Sequence, residues 1–200
     1  MTLDQYRSVA ERLLGPWVAA ADRLGLTPNQ VSVIAFAAAV AAGGAFYVGT
    51  AAAYAAGAAL VFLNGWLDLV DGALAREQAV ASEGGDLLDH VLDRYADIAI
   101  IAGFAAGIGR YDLGLLAVTG VLMTSYLGTQ IQAVGLGREY GGLLGRADRL
   151  ALMGFVGFAA AVVPRELVAG LGVVGLLLVL FAVVGHLTAL QRFLGAWRDL

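Results

Sequence analysis

Long apolar blocks, broken by short polar or glycine-marked stretches, run along most of this chain. A helix that spans a bilayer needs roughly 20 mostly apolar residues. Residues 3–24 do not meet that need, because charges recur too often. Tyr6, Val9, Leu13, Leu14, Trp17 and Val18 fall there at helical spacing, opposite Arg7, Glu11 and Asp22. That pattern predicts an amphipathic helix lying in the membrane interface, with Trp17 near the headgroups. Thr27 and Pro28 then supply an N-cap and a proline at the first helical position. A first span is expected from there to about residue 48, and a second over about 52–75. Four more are expected over about 86–108, 112–135, 147–163 and 166–192. Gly49-Thr50, Gly107, Gly109, Asp112 and Pro164 punctuate the turns.

Composition supports the same solvent. The 200 residues are 60% hydrophobic and 14% charged, with a mean hydropathy of +0.81. A soluble domain has about 45–50% and about 25% respectively. Too little polar surface exists to coat a water-soluble particle. The expected fold is therefore an all-α integral membrane domain over residues 1–200. It has an interfacial helix at 1–25 and a six-helix transmembrane bundle at 27–192.

The absence of cysteine excludes disulfides and thiolate chemistry, and a net charge of −4 argues against a nucleic-acid partner. The charged first 25 residues lack the apolar run of a cleavable signal peptide. All twelve basic residues are arginine. With six spans and the N-terminus inside, Arg7, Arg12, Arg23, Arg76, Arg94, Arg138, Arg146, Arg149, Arg192 and Arg198 lie on or near the cytoplasmic side. Only Arg110 and Arg165 fall outside, a strong positive-inside bias. A multi-pass protein of the cell membrane is expected, with both termini and the polar site on the cytoplasmic side.

The chemistry is concentrated around the second and third spans. Asp68 and Asp71 are i,i+3 at the end of one, and Asp89 and Asp93 are i,i+4 at the start of the next. Each pair shares a helix face, and a short loop makes the two helices antiparallel neighbours. Charged aspartates near the centre of a spanning helix cost about 2.5–3.5 kcal/mol each. Neither Arg76 nor Arg94 can neutralise four of them, whereas divalent cations can. Oxygen ligands with open water positions suit two Mg²⁺ or Mn²⁺ ions. Two such ions beside an arginine make a cradle for a pyrophosphate. Gly72 and Gly85 offer bare backbone, and Ala75 a small side chain, where a nucleotide could lie close. Asp86 reads as peripheral, Asp97 as a polar contact between helices, and His90 and His186 as structural.

The pattern DxxDGxxARx8GxxxDxxxD is met at every fixed position by Asp68, Asp71, Gly72, Ala75, Arg76, Gly85, Asp89 and Asp93. In this the chain resembles the CDP-alcohol phosphatidyltransferases. The resemblance extends to the amphipathic N-terminal helix, the Leu26-Thr27-Pro28-Asn29 lead-in and the six-span plan. It implies transfer of a phosphatidyl or archaetidyl group from a CDP-linked lipid to an alcohol hydroxyl, with release of CMP. Asp68, Asp71 and Asp89 would be metal ligands, and Asp93 both ligand and catalytic base. Asp68, Gly72, Ala75, Arg76, Gly85 and Asp89 would bind CDP.

The acceptor is read from a second stretch. Leu144-Gly145-Arg146-Ala147-Asp148-Arg149-Leu150 looks like the Arg-Ala-Glu-Arg stretch of members that use inositol phosphate, with Asp148 in place of Glu. Ser125-Tyr126 resembles that subgroup too, though Gly128, Thr129, Gln130 and Gln132 follow where basic residues are expected. Arg146, Arg149 and Arg138 are the candidates for binding an acceptor phosphate. Inositol phosphate is the favoured acceptor and glycerol phosphate the alternative. A divalent-cation transporter is the rival from another class, since intramembrane carboxylates also mark ion paths. It would need polar residues across the bilayer, which spans one, four, five and six hardly offer. Expected partners are a CDP-linked lipid, a phosphorylated polyol, membrane lipids and a second copy in a homodimer.

Overall fold

The computed structural model describes residues 7–137, 144–163 and 166–200, with side chains from Leu13 onward. These residues form helices α1 (Arg7–Arg23), α2 (Pro28–Val48), α3 (Ala51–Glu77), α4 (Glu83–Gly107), α5 (Tyr111–Ala133), α6 (Arg146–Val162) and α7 (Val173–Asp199). The expected side-chain positions Tyr6, Arg7, Val9 and Glu11 lie outside the described side chains, as Arg138, Pro164 and Arg165 lie outside the described residues.

Local chemistry sets the helix starts. Thr27 Oγ1 accepts from the Gln30 amide at 3.3 Å, and Gln30 Oε1 accepts from the Thr27 amide at 2.9 Å. This reciprocal cap, with Pro28 next, opens α2 where the sequence indicates. Gly49 closes it at φ 72°, a left-handed conformation that favours glycine. Thr50 caps α3 at once, its hydroxyl accepting from Ala53 at 3.2 Å. Ser82 does the same for α4 through Gly85, also at 3.2 Å. Only residues 78–82 separate α3 from α4. That short turn keeps Asp68 and Asp71 beside Asp89 and Asp93.

α2 packs against both α3 and α4, α5 pairs with α7, and α6 lies on α3. Water-driven burial does not join helices in lipid, so close backbone approach matters more. At the α2–α4 crossing a Cβ on Gly103 would overlap the Gly43 backbone. One turn along, Phe46 and Phe104 stack with centroids 3.8 Å apart. α1 lies against α3, where Leu14, Val18 and Ala21 pack with Val70 and Leu74. Trp17 meets Trp66 edge-on at 6.1 Å and remains 54% exposed. Gln78 Nε2 donates to Asp22 Oδ1 at 2.9 Å and ties α1 to the α3–α4 turn.

The architecture is an all-α membrane protein, and the six expected spans are unequal in length and polarity. α2, α3, α5 and α7 are long and apolar enough to cross a membrane. α4 has the length, yet its first half carries Glu83, Asp86, Asp89, Asp93 and Arg94. α6 has 17 residues, about 26 Å at about 1.5 Å per residue, against a hydrocarbon core of about 30 Å. The last helix also starts later than the expected residue 166. Leu167 donates to the Leu171 carbonyl at 2.9 Å, with Ala169 and Gly170 at φ 51° and 74°, so a tight turn occupies that stretch.

Candidate metal centre and substrate cavities

Asp68 and Asp71 approach from α3, and Asp89 from α4. One carboxylate oxygen of each lies within 4.8 Å of the others. Asp71 is 6% exposed and is held from a third helix. The Ser32 hydroxyl lies 2.6 Å from Asp71 Oδ2 and 3.1 Å from the Pro28 carbonyl, and the charged acceptor makes the stronger bond. Asp93, one turn beyond Asp89, stands outside this trio. Arg146 reaches it through Nη2 at 2.5 Å and Asp68 through Nη1 at 2.7 Å. Arg94 Nη2 is 3.3 Å from the other Asp93 oxygen. The convergent donors are all acidic oxygens, the set that a hard divalent cation such as Mg²⁺ or Mn²⁺ takes.

Three cavities meet at these carboxylates. A cavity of about 420 Å³ is lined by Asn29, Ser32, Asp71, Gly72, Ala75, Arg76, Gly85 and Asp89. Every residue expected to bind CDP lines it except Asp68, which lies in the neighbouring space. That space, about 10 Å³, is bounded by all four aspartates, Ser32 and Asn64. A further cavity of about 570 Å³ is lined by His90, Asp93, Arg94, Ser125, Tyr126, Thr129, Arg146, Arg149 and Arg192. Ser32, Asp71 and Asp89 border the first two spaces, and Asp93 borders the last two. Asp93 thus stands between the carboxylate cluster and the arginine-lined cavity.

Arg146 and Arg149, two of the candidates for binding an acceptor phosphate, line one cavity but are engaged differently. Arg146 spans Asp68 and Asp93. Arg149, 5% exposed, donates to Asp97 Oδ2 at 3.1 Å, and Asp97 is 1% exposed. Asp97 is accordingly a polar contact between α4 and α6. His186 is likewise interhelical, its Nε2 lying 3.3 Å from Thr119 Oγ1.

Sequence reasoning missed three residues. Ser32 precedes Asp71 by 39 positions and carries no motif. Asn64 is one helical turn before Asp68, a spacing that marks it only once Asp68 is known to matter. Arg192 was counted as a topology charge. It lines the arginine-rich cavity and donates to the Thr124 carbonyl at 2.5 Å.

Residues 25–197 match the CDP-alcohol phosphatidyltransferase family. Archaetidylinositol phosphate synthase of Methanothermobacter thermautotrophicus is 31% identical over 99% of this chain and 95% of its own length. Phosphatidylinositol phosphate synthase of Mycobacterium tuberculosis is 30% identical over 96% of this chain and 88% of its own. The crystal structure of the Mycobacterium tuberculosis synthase with CDP-DAG bound superposes with a TM-score of 0.78. That match is at 26% identity and covers 93% of this chain and 94% of that one. The same enzyme has been seen with manganese and citrate, also with a TM-score of 0.78, at 26% identity over 92% of this chain and 88% of that one.

Proposed function

The chain belongs to the CDP-alcohol phosphatidyltransferase family, and we propose that it transfers the phosphatidyl or archaetidyl group of a CDP-linked lipid to inositol phosphate. The observation that carries this reading is the run of cavities through the carboxylates. One large space is lined by Gly72, Ala75, Arg76 and Gly85, another by Arg146, Arg149 and Arg192, and the aspartates lie between them. Relatives named as synthases of inositol phosphate lipids support the acceptor.

Asp68, Asp71, Asp89 and Asp93 are assigned as ligands of two divalent cations, Mg²⁺ or Mn²⁺. When bound, such ions offset the charge of a pyrophosphate and of the phosphoryl group in transfer. Gly72, Ala75, Arg76 and Gly85, with Asp68 and Asp89, hold the CDP end. Arg76 can fork onto a phosphate, and a side chain at Gly72 would stand about 3.6 Å from its Nη1. Arg146 and Arg149, with Arg138 and Arg192, take the acceptor phosphate.

Asp93 borders both the cluster and the acceptor cavity, so it takes the proton of the attacking hydroxyl. The hydroxyl oxygen bonds to the lipid-side phosphorus, and the phosphoanhydride bond to CMP breaks. CMP departs with the bonding electrons.

In the membrane, α2 to α7 form a six-span bundle in a single domain, and α1 lies in the interface. The acidic start of α4 and Arg146 at the start of α6 stand at the site end, where water and headgroups reach. The arginine bias supports a cytoplasmic position for that end. The working assembly is a homodimer.

The test supplies reconstituted protein with ester- and ether-linked CDP-lipids and a panel of acceptors: inositol phosphate, glycerol phosphate, free inositol and serine. CMP release should be fastest with inositol phosphate and should need a divalent ion. A preference for glycerol phosphate would move the acceptor. No metal-dependent release with any acceptor would refute the reaction.

A further inference from the structure

We propose that Asn64 is the deep hydrogen-bond acceptor for the water shell of a divalent cation held by the aspartates. This rests on the metal assignment above and adds a positioning residue outside the eight-residue signature. Asn64 precedes Asp68 by one turn of α3 and shares its face. It is 2% exposed and lines the cavity of about 10 Å³ bounded by Asp68, Asp71, Asp89 and Asp93.

The orientation of its amide is set by chemistry. Asn64 Nδ2 donates to the Ala35 carbonyl at 2.9 Å. A carbonyl only accepts, so flipping the amide would oppose two acceptors. Oδ1 is therefore the atom left over, and it is buried without a hydrogen-bond partner. A buried acceptor in that condition is destabilising. With the aspartates ionised, as cation binding requires, nothing else lining the cavity can relieve it. The aspartates accept, the Ser32 proton goes to Asp71, and Ala35, Phe36, Leu92 and Ala96 offer no side-chain donor.

A water bound to a metal is the complementary partner. Its lone pairs face the ion, so it acts as a donor, and Mg²⁺ keeps several of its waters when carboxylates bind it. The cavity has room for about one water. A tie between α2 and α3 through Ala35 accounts for Nδ2 but not for Oδ1.

Manganese affinity without substrate, read by electron paramagnetic resonance on reconstituted protein, separates these roles. Asn64→Leu keeps similar volume and removes both polar atoms. Asn64→Asp keeps an acceptor oxygen and loses the donor to Ala35. The Kd for Mn²⁺ should rise at least about tenfold in Asn64→Leu, the scale of losses when support for metal ligands is removed. In Asn64→Asp it should not rise. Equal affinity in folded Asn64→Leu and wild type would overturn the inference. So would equal weakening in both variants, which would leave only the tie to Ala35. A wild type that binds no Mn²⁺ would instead overturn the metal assignment and this inference with it.

A second measurement needs no variant of Asn64. Asn29 and Asn64 are the chain's two asparagines. With ¹³C-labelled asparagine side-chain carbonyls, the resonance that survives Asn29→Gln belongs to Asn64. It should move downfield on addition of Mg²⁺, as its oxygen gains a donor. No movement at saturating Mg²⁺ would overturn the proposal.

Discussion

Arg149 of α6 donates to Asp97 of α4 at 3.1 Å, and both side chains are buried. Removing one member of such a pair leaves the other charge uncompensated at low dielectric, at a cost of about 3–5 kcal/mol. Arg149→Ala and Asp97→Ala should each lower stability by that order in thermal unfolding. The double variant should be more stable than either. A fully stable Arg149→Ala with only a raised acceptor KM would show that the pair contributes nothing to the fold.

Arg146 behaves differently because its guanidinium is less enclosed and borders the acceptor cavity. Arg146→Ala should raise KM for a phosphorylated acceptor at least about tenfold, a loss of roughly 1.5–3 kcal/mol for a charged hydrogen bond. KM for the CDP-lipid should change little, since Arg76 lines the other cavity. Steady-state kinetics with each substrate varied in turn distinguishes the two. An unchanged acceptor KM would leave Arg146 as a structural partner of Asp68 and Asp93.

Asp93 and Asp71 should separate by role. Asp93→Asn keeps the close trio of Asp68, Asp71 and Asp89, so CDP-lipid binding should persist while turnover is nearly lost. Asp71→Asn removes a charged oxygen from the trio and leaves Ser32 at best a neutral acceptor, so metal and donor binding should weaken together. Calorimetry of donor binding beside turnover tests this. Equal loss of binding in both variants would remove the distinct role of Asp93 as base.

Gly103 stands where any side chain would meet the Gly43 backbone. Gly103→Val should push α4 from α2 and destabilise the fold by about 1–3 kcal/mol, as overpacking does. Its unfolding temperature should fall along with activity. An unshifted unfolding temperature would mean that this crossing carries no packing demand.

What was legible in the sequence was mostly local. The i,i+3 and i,i+4 spacings of the aspartates, and the Thr27-Pro28 cap, are properties of one helix and its first turn. They hold wherever that helix is placed. The partners of those residues were not legible. Ser32 meets Asp71 across 39 positions, Arg149 meets Asp97 across 52, and Arg146 meets Asp68 across 78. Those contacts depend on helix crossings, which small residues such as Gly43 and Gly103 permit without announcing. Arg146 and Arg149 are three positions apart at the start of α6, a helical spacing visible in the sequence. It could not reveal that a buried Asp97 takes one of the two forks. The last helix was placed too early because the positive-φ turn at Ala169 and Gly170 is marked only by glycine, and glycines also recur within the apolar spans.

The most direct test of the central claim is the lipid product itself. Reconstituted protein is given a CDP-linked lipid and inositol phosphate carrying ¹⁸O in its ring hydroxyls, and lipid and CMP are measured together by mass spectrometry. The expected result is one inositol phosphate lipid per CMP, with the hydroxyl ¹⁸O retained in the lipid and none in CMP. Formation should stop in EDTA and resume with Mg²⁺ or Mn²⁺. Product formed at full rate in chelator would contradict the metal centre at Asp68, Asp71, Asp89 and Asp93. A lipid phosphate monoester formed together with a labelled cytidylyl ester of inositol phosphate would contradict attack by the acceptor hydroxyl at the lipid-side phosphorus.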